Sequence, residues 1–273
     1  LCTLFLFSIL LSSCAPARTS TPAPTPTATH APTAAVAPTP ALATSDIRQP
    51  AVAGTFYPDD PVELQSMVDE LLRQAQQLPQ EPIALIVPHA GYVFSGAVAA
   101  EAFKQIEGRE YEAIVVLGTN HRAIFERISI WPSGAYSTPL GLVPVDGELA
   151  QAILAADPQH MVAERSVQLA EHSIEVELPF LLRACGPKPF VPILIGEPSM
   201  ENCQALSAAL AKVLRGKKAL IIASSDMSHY PSYDNALQVD LATLRAVCSL
   251  DPQAVVDNDQ NWLTSGIDNL ACT

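Results

Sequence analysis

From residue 83 onward the chain alternates short runs of β-branched and other apolar residues with amphipathic helical segments, and this alternation restricts the fold more than any other feature. Short apolar runs bounded by turn residues suit strands covered on both faces, and the helices between them supply the crossovers that parallel strands require. Strands are predicted at residues 83–87, 113–117, 127–131, 191–195 and 219–223, and helices at 96–106, 147–156, 173–184, 200–214 and 236–249. Ser199 and Asn235 are expected N-caps. Pro179 falls inside the third of these helices and is expected to bend it, because proline removes a backbone donor. Further upstream, Leu64, Met67, Val68, Leu71 and Leu72 recur at helical spacing and form one apolar stripe, which reads as core. The expected fold class is α/β, with a mainly parallel central sheet flanked by helices on both faces.

Ahead of this region the composition changes twice. Residues 1–11 are almost wholly apolar and end at Ser12, Ser13 and Cys14. A run of roughly a dozen such residues is too short for a spanning helix, which needs about 20, and matches the core of an export signal. The ending Leu11-Ser12-Ser13-Cys14 resembles a bacterial lipobox, in which Cys14 becomes the lipidated N-terminus; a secretory peptide cut elsewhere is the alternative. Residues 15–45 are almost entirely Ala, Pro and Thr, a composition that cannot bury a core and extends at roughly 3 Å per residue. His30 lies there and reads as a solvated spacer residue. The expected organisation is a lipoprotein signal over 1–14, a disordered linker over 15–45 and one α/β domain over 46–273, held on a membrane outside the cytoplasm. The missing initial methionine and the abrupt stop after Thr273 read as a fragment at both ends.

A net charge of −13 and a pI near 4.7 exclude a basic stripe for nucleic acid and electrostatic adhesion to anionic lipid, so membrane contact falls to the anchor. Apart from Cys2 in the signal and Cys14, the cysteines are Cys185, Cys203, Cys248 and Cys272, and no C-x-x-C zinc pattern occurs. Outside the cytoplasm four cysteines allow three pairings. Cys185, Cys203 and Cys248 fall in helix-like stretches and are expected as buried free thiols.

His89, His121 and His229 each follow closely on a predicted strand. Loops at the carboxyl ends of parallel strands share one edge of the sheet, where open α/β proteins bind ligands, so these imidazoles are expected to converge. One such histidine is more often structural; three in register favour metal binding, acid–base chemistry, or both. Pro88 and Gly91 bracket His89, and Asn120 beside His121 can bond an anionic ligand or a loop amide. Asp226, three residues before His229, either orients a ring nitrogen, binds metal directly, or caps a turn. His172 and Glu175 begin a predicted helix one turn apart and are expected to face the same cleft beside the site. Glu171 reads as an acidic residue favouring a helix N-terminus, and His160 as surface.

The segments Ala51-Val52-Ala53-Gly54-Thr55-Phe56-Tyr57-Pro58, Val87-Pro88-His89-Ala90-Gly91-Tyr92, Leu117-Gly118-Thr119-Asn120-His121, Glu171-His172-Ser173-Ile174-Glu175 and Ser224-Ser225-Asp226-Met227-Ser228-His229 resemble the Memo family, AmmeMemoRadiSam system protein B in prokaryotes. The resemblance runs from Arg48 to Cys272. It implies the fold of class III extradiol dioxygenases, in which two histidines and a carboxylate hold iron. By this resemblance His89 and His121 match the histidine ligands, Cys272 takes the carboxylate position, and His229, helped by Asp226, is the acid–base residue. His172, Glu175, Asn120 and Tyr92 would support the site or touch substrate. A thiolate in place of a carboxylate favours iron, with copper or zinc also compatible. The family pattern continues with glycine after the cysteine, whereas Thr273 stands here. The resemblance also implies an AMMECR1-like protein and a radical SAM enzyme as pathway partners.

Three functions follow. The first is an iron-dependent redox or oxygenase-type enzyme acting on a small molecule or modified residue, and the second a non-catalytic ligand- or protein-binding scaffold with a vestigial site. The third is a hydrolase using His229 and metal-bound water. Serine hydrolysis is disfavoured, since Ser224 and Ser225 lie in no G-x-S-x-G elbow.

Overall fold

A computed structural model describes residues 46–265. Its main sheet has six strands: β2 (Ala84–Val87), β9 (Ala219–Ser224), β3 (Ala113–Thr119), β8 (Val191–Ile195), β4 (Ile128–Ile130) and β7 (Met161–Val162), in that spatial order. The first four are mutually parallel, β4 runs antiparallel to β8, and β7 is parallel to β4. A smaller sheet joins β1 (Ile47–Arg48), β5 (Ala135–Thr138) and β6 (Gly141–Pro144).

Alternation along the strands sends side chains into two cores. Ile114 and Val116 of β3 enter one, and Ala113 and Val115 the other. The first core is covered by α1 (Pro61–Gln74), α2 (Tyr92–Lys104) and α4 (Leu178–Cys185), through residues such as Leu64, Val68, Phe103 and Phe180. The second is covered by α3 (Gly147–Ala156) and α5 (Met200–Val213), through Leu149, Ile153, Leu206 and Leu210. Helices therefore lie on both faces, as expected. After β9, α6 (Tyr233–Cys248) and α7 (Pro252–Ser265) pack on each other.

Local signals account for most boundaries. Asp60 caps α1, its Oδ1 accepting the Val62 and Glu63 amides at 2.9 Å, and Pro61 occupies the first turn. Ser199 caps α5 as expected. Asn235 does not cap α6, which starts two residues earlier behind Ser232. The predicted helix over 173–184 is a 3-10 turn, Glu175–Glu177, leading into α4. Pro179 sits in the first turn of α4, where its missing N–H costs no intrahelical bond, so no mid-helix bend results. Among the described residues Cys185, Cys203 and Cys248 form no disulfide, but against the expectation of buried thiols Cys185 is only half-buried and Cys203 and Cys248 are exposed. Among the described residues no helix is long and apolar enough to cross a membrane. Cys14 and Cys272 lie outside the described residues.

Candidate metal centre

Three neighbouring strands set the site. β9 lies between β2 and β3, with Val87 paired to Ser224 and Leu117 to Ala223, so the loops bearing His89, His121 and Asp226 emerge side by side. His89 and His121 meet there, their ring centroids 5.1 Å apart. The third imidazole against them is that of His172, at 5.6 Å from His89 and 4.5 Å from His121. One ligand atom from each of these three residues lies within 4.8 Å of the others. His89 and His172 are buried, and His121 opens to solvent.

Each ring is held from behind. Nδ1 of His121 lies 2.9 Å from Glu171 Oε1, and its amide donates to Glu171 Oε2 at 2.6 Å. Glu171 also accepts the amides of His172 and Ser173, at 2.7 and 3.0 Å. Burial opposes ionisation of Glu171, yet the donors from His121 and Ser173 and the adjoining His172 ring hold its carboxyl well below the usual carboxylate range. Nδ1 of His89 lies 2.8 Å from Ser224 Oγ, while the amides of His89 and Ala90 donate to Asp226 Oδ1 at 2.6 and 3.2 Å. Burial, reinforced by the neighbouring imidazoles against the pull of Asp226, lowers the His89 pKa to about 4. His89 is therefore neutral at pH 7, the form that ligates metal.

Among the described residues Nε2 of His89 and Nδ1 of His172 are buried without a hydrogen-bond partner. The latter lies 3.2 Å from Glu171 Oε1 but out of line for a hydrogen bond. A buried polar atom left unpaired is costly, and a cation between these rings would satisfy it. The donor set fits a metal: imidazole nitrogens suit iron, copper and zinc alike.

The expected residues are distributed unevenly around this centre. Asp226 Oδ2 stands 3.8 Å from His89 Nε2 and 3.6 Å from His229 Nε2, so its carboxylate lies within ion-pair distance of both imidazoles. Asn120 bonds loop atoms: its Oδ1 accepts the Ala123 amide at 3.0 Å and its Nδ2 donates to the Ala123 carbonyl at 2.7 Å. Glu175 does not share the cleft. It is fully buried against Arg48 and accepts from the Tyr57 hydroxyl at 2.6 Å and the Ala51 and Val52 amides at 2.7 and 3.0 Å, because the 3-10 turn points it into the core. Tyr92 is likewise a core residue, its hydroxyl donating to the Val176 carbonyl at 2.7 Å and its ring packing on Phe180. His160 lies at the surface between Asp157 and Glu201, at 2.8 and 3.1 Å.

Arg48, Glu177 and Ser224 carry no clear local sequence signal of a role at the site, and Glu171 only that of a helix end. Arg48 is buried and donates to the carbonyls of Glu171 and Gln168 and to the Glu175 carboxylate, so it fastens the loop that carries His172. An arginine beside the early Ala51–Pro58 motif was the only available signal.

Fold and site together define a mixed α/β protein with a three-histidine candidate metal centre at the carboxyl ends of its parallel strands. The family model described as Memo-like protein matches residues 48–268. The chain is 39% identical over 211 residues to a MEMO1 family protein of Aquifex aeolicus, covering 76% of each chain. It is 34% identical over 212 residues to one from Thermoplasma volcanium (77% of this chain, 78% of the relative), and 36% over 230 residues to one from Thermotoga maritima (77% and 80%). The chain belongs to the Memo family.

Proposed function

We propose that this chain is a non-haem metal-dependent enzyme of the redox or oxygenase type, AmmeMemoRadiSam system protein B, acting on a small molecule or modified residue. The observation that carries the reading is the convergence of His89, His121 and His172, with buried ring nitrogens that a metal could satisfy. His89 and His121 would hold the metal, with His172 as the third nitrogen donor and, by family resemblance, Cys272 as a sulfur donor. Iron is favoured, copper and zinc being compatible with the same donors. Bound iron would supply redox chemistry towards oxygen or an oxidisable substrate. Glu171 fixes the orientation of His121, and Asp226 accepts two amides while standing within 4 Å of His229. That arrangement lets His229 hold or release a proton beside the site, with Asp226 as its counter-charge.

Three further parts belong to this proposal. Cys14 anchors the chain to a membrane outside the cytoplasm through a lipid, the segment over 15–45 is a linker, and an AMMECR1-like protein and a radical SAM enzyme act in the same pathway. The lipobox-like ending at Cys14 supports the first, the Ala/Pro/Thr composition the second, and family membership the third.

Metal analysis of the full chain tests the reading. Near-stoichiometric iron lost in His89→Ala and His121→Ala supports it, and metal-free wild type after anaerobic purification and iron addition refutes it. A non-catalytic scaffold is the second reading, favoured by the open His121 ring, and partner binding that survives loss of all three site histidines would favour it. Retention of Cys14→Ala in the membrane fraction would refute the anchor.

A further inference from the structure

Behind His89 lies a group that the function above does not use. Glu177 is fully buried, and its Oε1 lies 2.7 Å from Ser224 Oγ. The same Oγ is 2.7 Å from the Ser173 carbonyl and 2.8 Å from His89 Nδ1. Ser224 itself is buried.

A hydroxyl has one proton to give and two lone pairs to accept with. The Ser173 carbonyl can only accept, so the Ser224 proton belongs to it. Were that proton turned towards an ionised Glu177, two bare oxygens would face each other at 2.7 Å, with the second carboxylate oxygen, Oε2, buried and without a partner among the described residues. One arrangement gives every contact a proton. Ser224 donates to Ser173, Glu177 as the neutral acid donates to Ser224, and the N–H of His89 Nδ1 donates to the remaining lone pair. Burial pushes the Glu177 carboxyl well above the usual range, in keeping with a neutral acid there.

We propose that Glu177 and Ser224 form a positioning relay that holds His89 as its Nδ1–H tautomer and so presents the buried, unpartnered Nε2 to a metal. The inference rests on the metal-centre reading for its purpose and on hydrogen-bond accounting alone for the tautomer. Behind a ligand, such groups set tautomer and ring direction, and their loss typically lowers metal affinity about 10- to 100-fold.

The test uses the full chain, metal-free at pH 7 with ¹⁵N-labelled histidine, and then zinc titrated against a chromophoric chelator. His89 is assigned by its loss in His89→Gln. Wild type should show His89 protonated on Nδ1 and bare on Nε2. Ser224→Ala should mix the tautomers and weaken zinc about 10- to 100-fold. Glu177→Gln should keep both the wild-type tautomer and, within about twofold, its zinc affinity, because the amide N–H replaces the acid as donor. Glu177→Leu should resemble Ser224→Ala. A wild-type His89 protonated on Nε2 overturns the relay, as does a Glu177→Gln chain that is folded but behaves like Ser224→Ala. A wild type with the Nδ1–H tautomer that takes no zinc supports the relay's geometry and instead counts against the metal centre.

Discussion

Glu171 grips His121 twice, accepting its amide at 2.6 Å on Oε2 and facing its Nδ1 at 2.9 Å through Oε1. The same carboxylate accepts the amide of His172, so one buried side chain sets the position of two of the three imidazoles.

Glu171→Gln should therefore be costly, because an amide cannot accept all these donors and turns an N–H towards at least one of them. The expected loss is about 2–3 kcal/mol, as for a charge-assisted hydrogen bond, read by urea unfolding of metal-free protein. The pH dependence follows from the depressed carboxyl. Its stabilisation is complete above the ordinary value of 4.5 and is lost as pH falls below it towards the folded value. Wild type should thus lose stability below that pH more steeply than Glu171→Gln, and equal slopes would refute the assignment.

His89 gives a second, separable pH effect. Its pKa falls from 6.5 in the open chain to about 4 when folded, so between these values the unfolded state binds a proton that the folded state refuses. Stability is complete above the upper value and declines as pH falls across the window, by an amount on the order of 3 kcal/mol. Urea unfolding of chelator-treated protein at several pH values reads this slope. His89→Gln should flatten it, and an unchanged slope would contradict a buried neutral His89.

The buried pair of Arg48 and Glu175 predicts an asymmetric response. Arg48→Met leaves Glu175 charged in the core and frees the carbonyls of Gln168 and Glu171, a loss of about 3–5 kcal/mol. Adding Glu175→Leu should recover part of it by removing the stranded charge, although the Tyr57 hydroxyl and two amides then lack an acceptor. Thermal unfolding of the single and double variants decides this, and a double variant weaker than the sum of its singles would be the contrary result.

Gly118 on β3 leaves room for the loop that brings His172 in. A Cβ there would stand 2.5 Å from Ile174 Cγ1 and 2.6 Å from Ser173 Oγ. Gly118→Ala should cost about 1–3 kcal/mol by overpacking and also weaken zinc binding, by pushing residues 173 and 174 away from β3. Loss of stability with wild-type zinc affinity would show that the loop position does not matter to the centre.

Much of this was legible in the chain, for physical reasons that differ by element. The strands at 113–117 and 191–195 were readable because both faces are buried and the sequence is continuously apolar, and 219–223 carries the same apolar run although one of its faces is only half-buried. The smaller sheet was not, since β1, β5 and β6 have two to four residues and carry Arg48, Tyr136 and Pro144 rather than a hydrophobic run. α2 begins at Tyr92, earlier than expected, because Gly91 offers no side-chain cap and Val93 and Phe94 on its first turn are exposed. At the site, His89 and His121 were visible because each directly follows a strand. His172 follows none: it reaches the centre through a loop tied down by Arg48 and Glu171, a long-range arrangement that local spacing cannot encode. Glu175 shows the converse, since helical spacing placed it in the cleft and a 3-10 turn put it in the core.

X-ray absorption at the metal edge of the iron-loaded full chain reads directly whether His89, His121 and His172 bind one metal. The expected result is near one metal per chain, imidazole scattering from His89 and His121 with a further nitrogen from His172, and metal–nitrogen distances close to the roughly 2.0–2.1 Å of zinc–imidazole bonds. Cys272 would add a sulfur at about 2.3 Å. A shell of oxygen alone, or a spectrum unchanged by His89→Ala and His121→Ala, would contradict it.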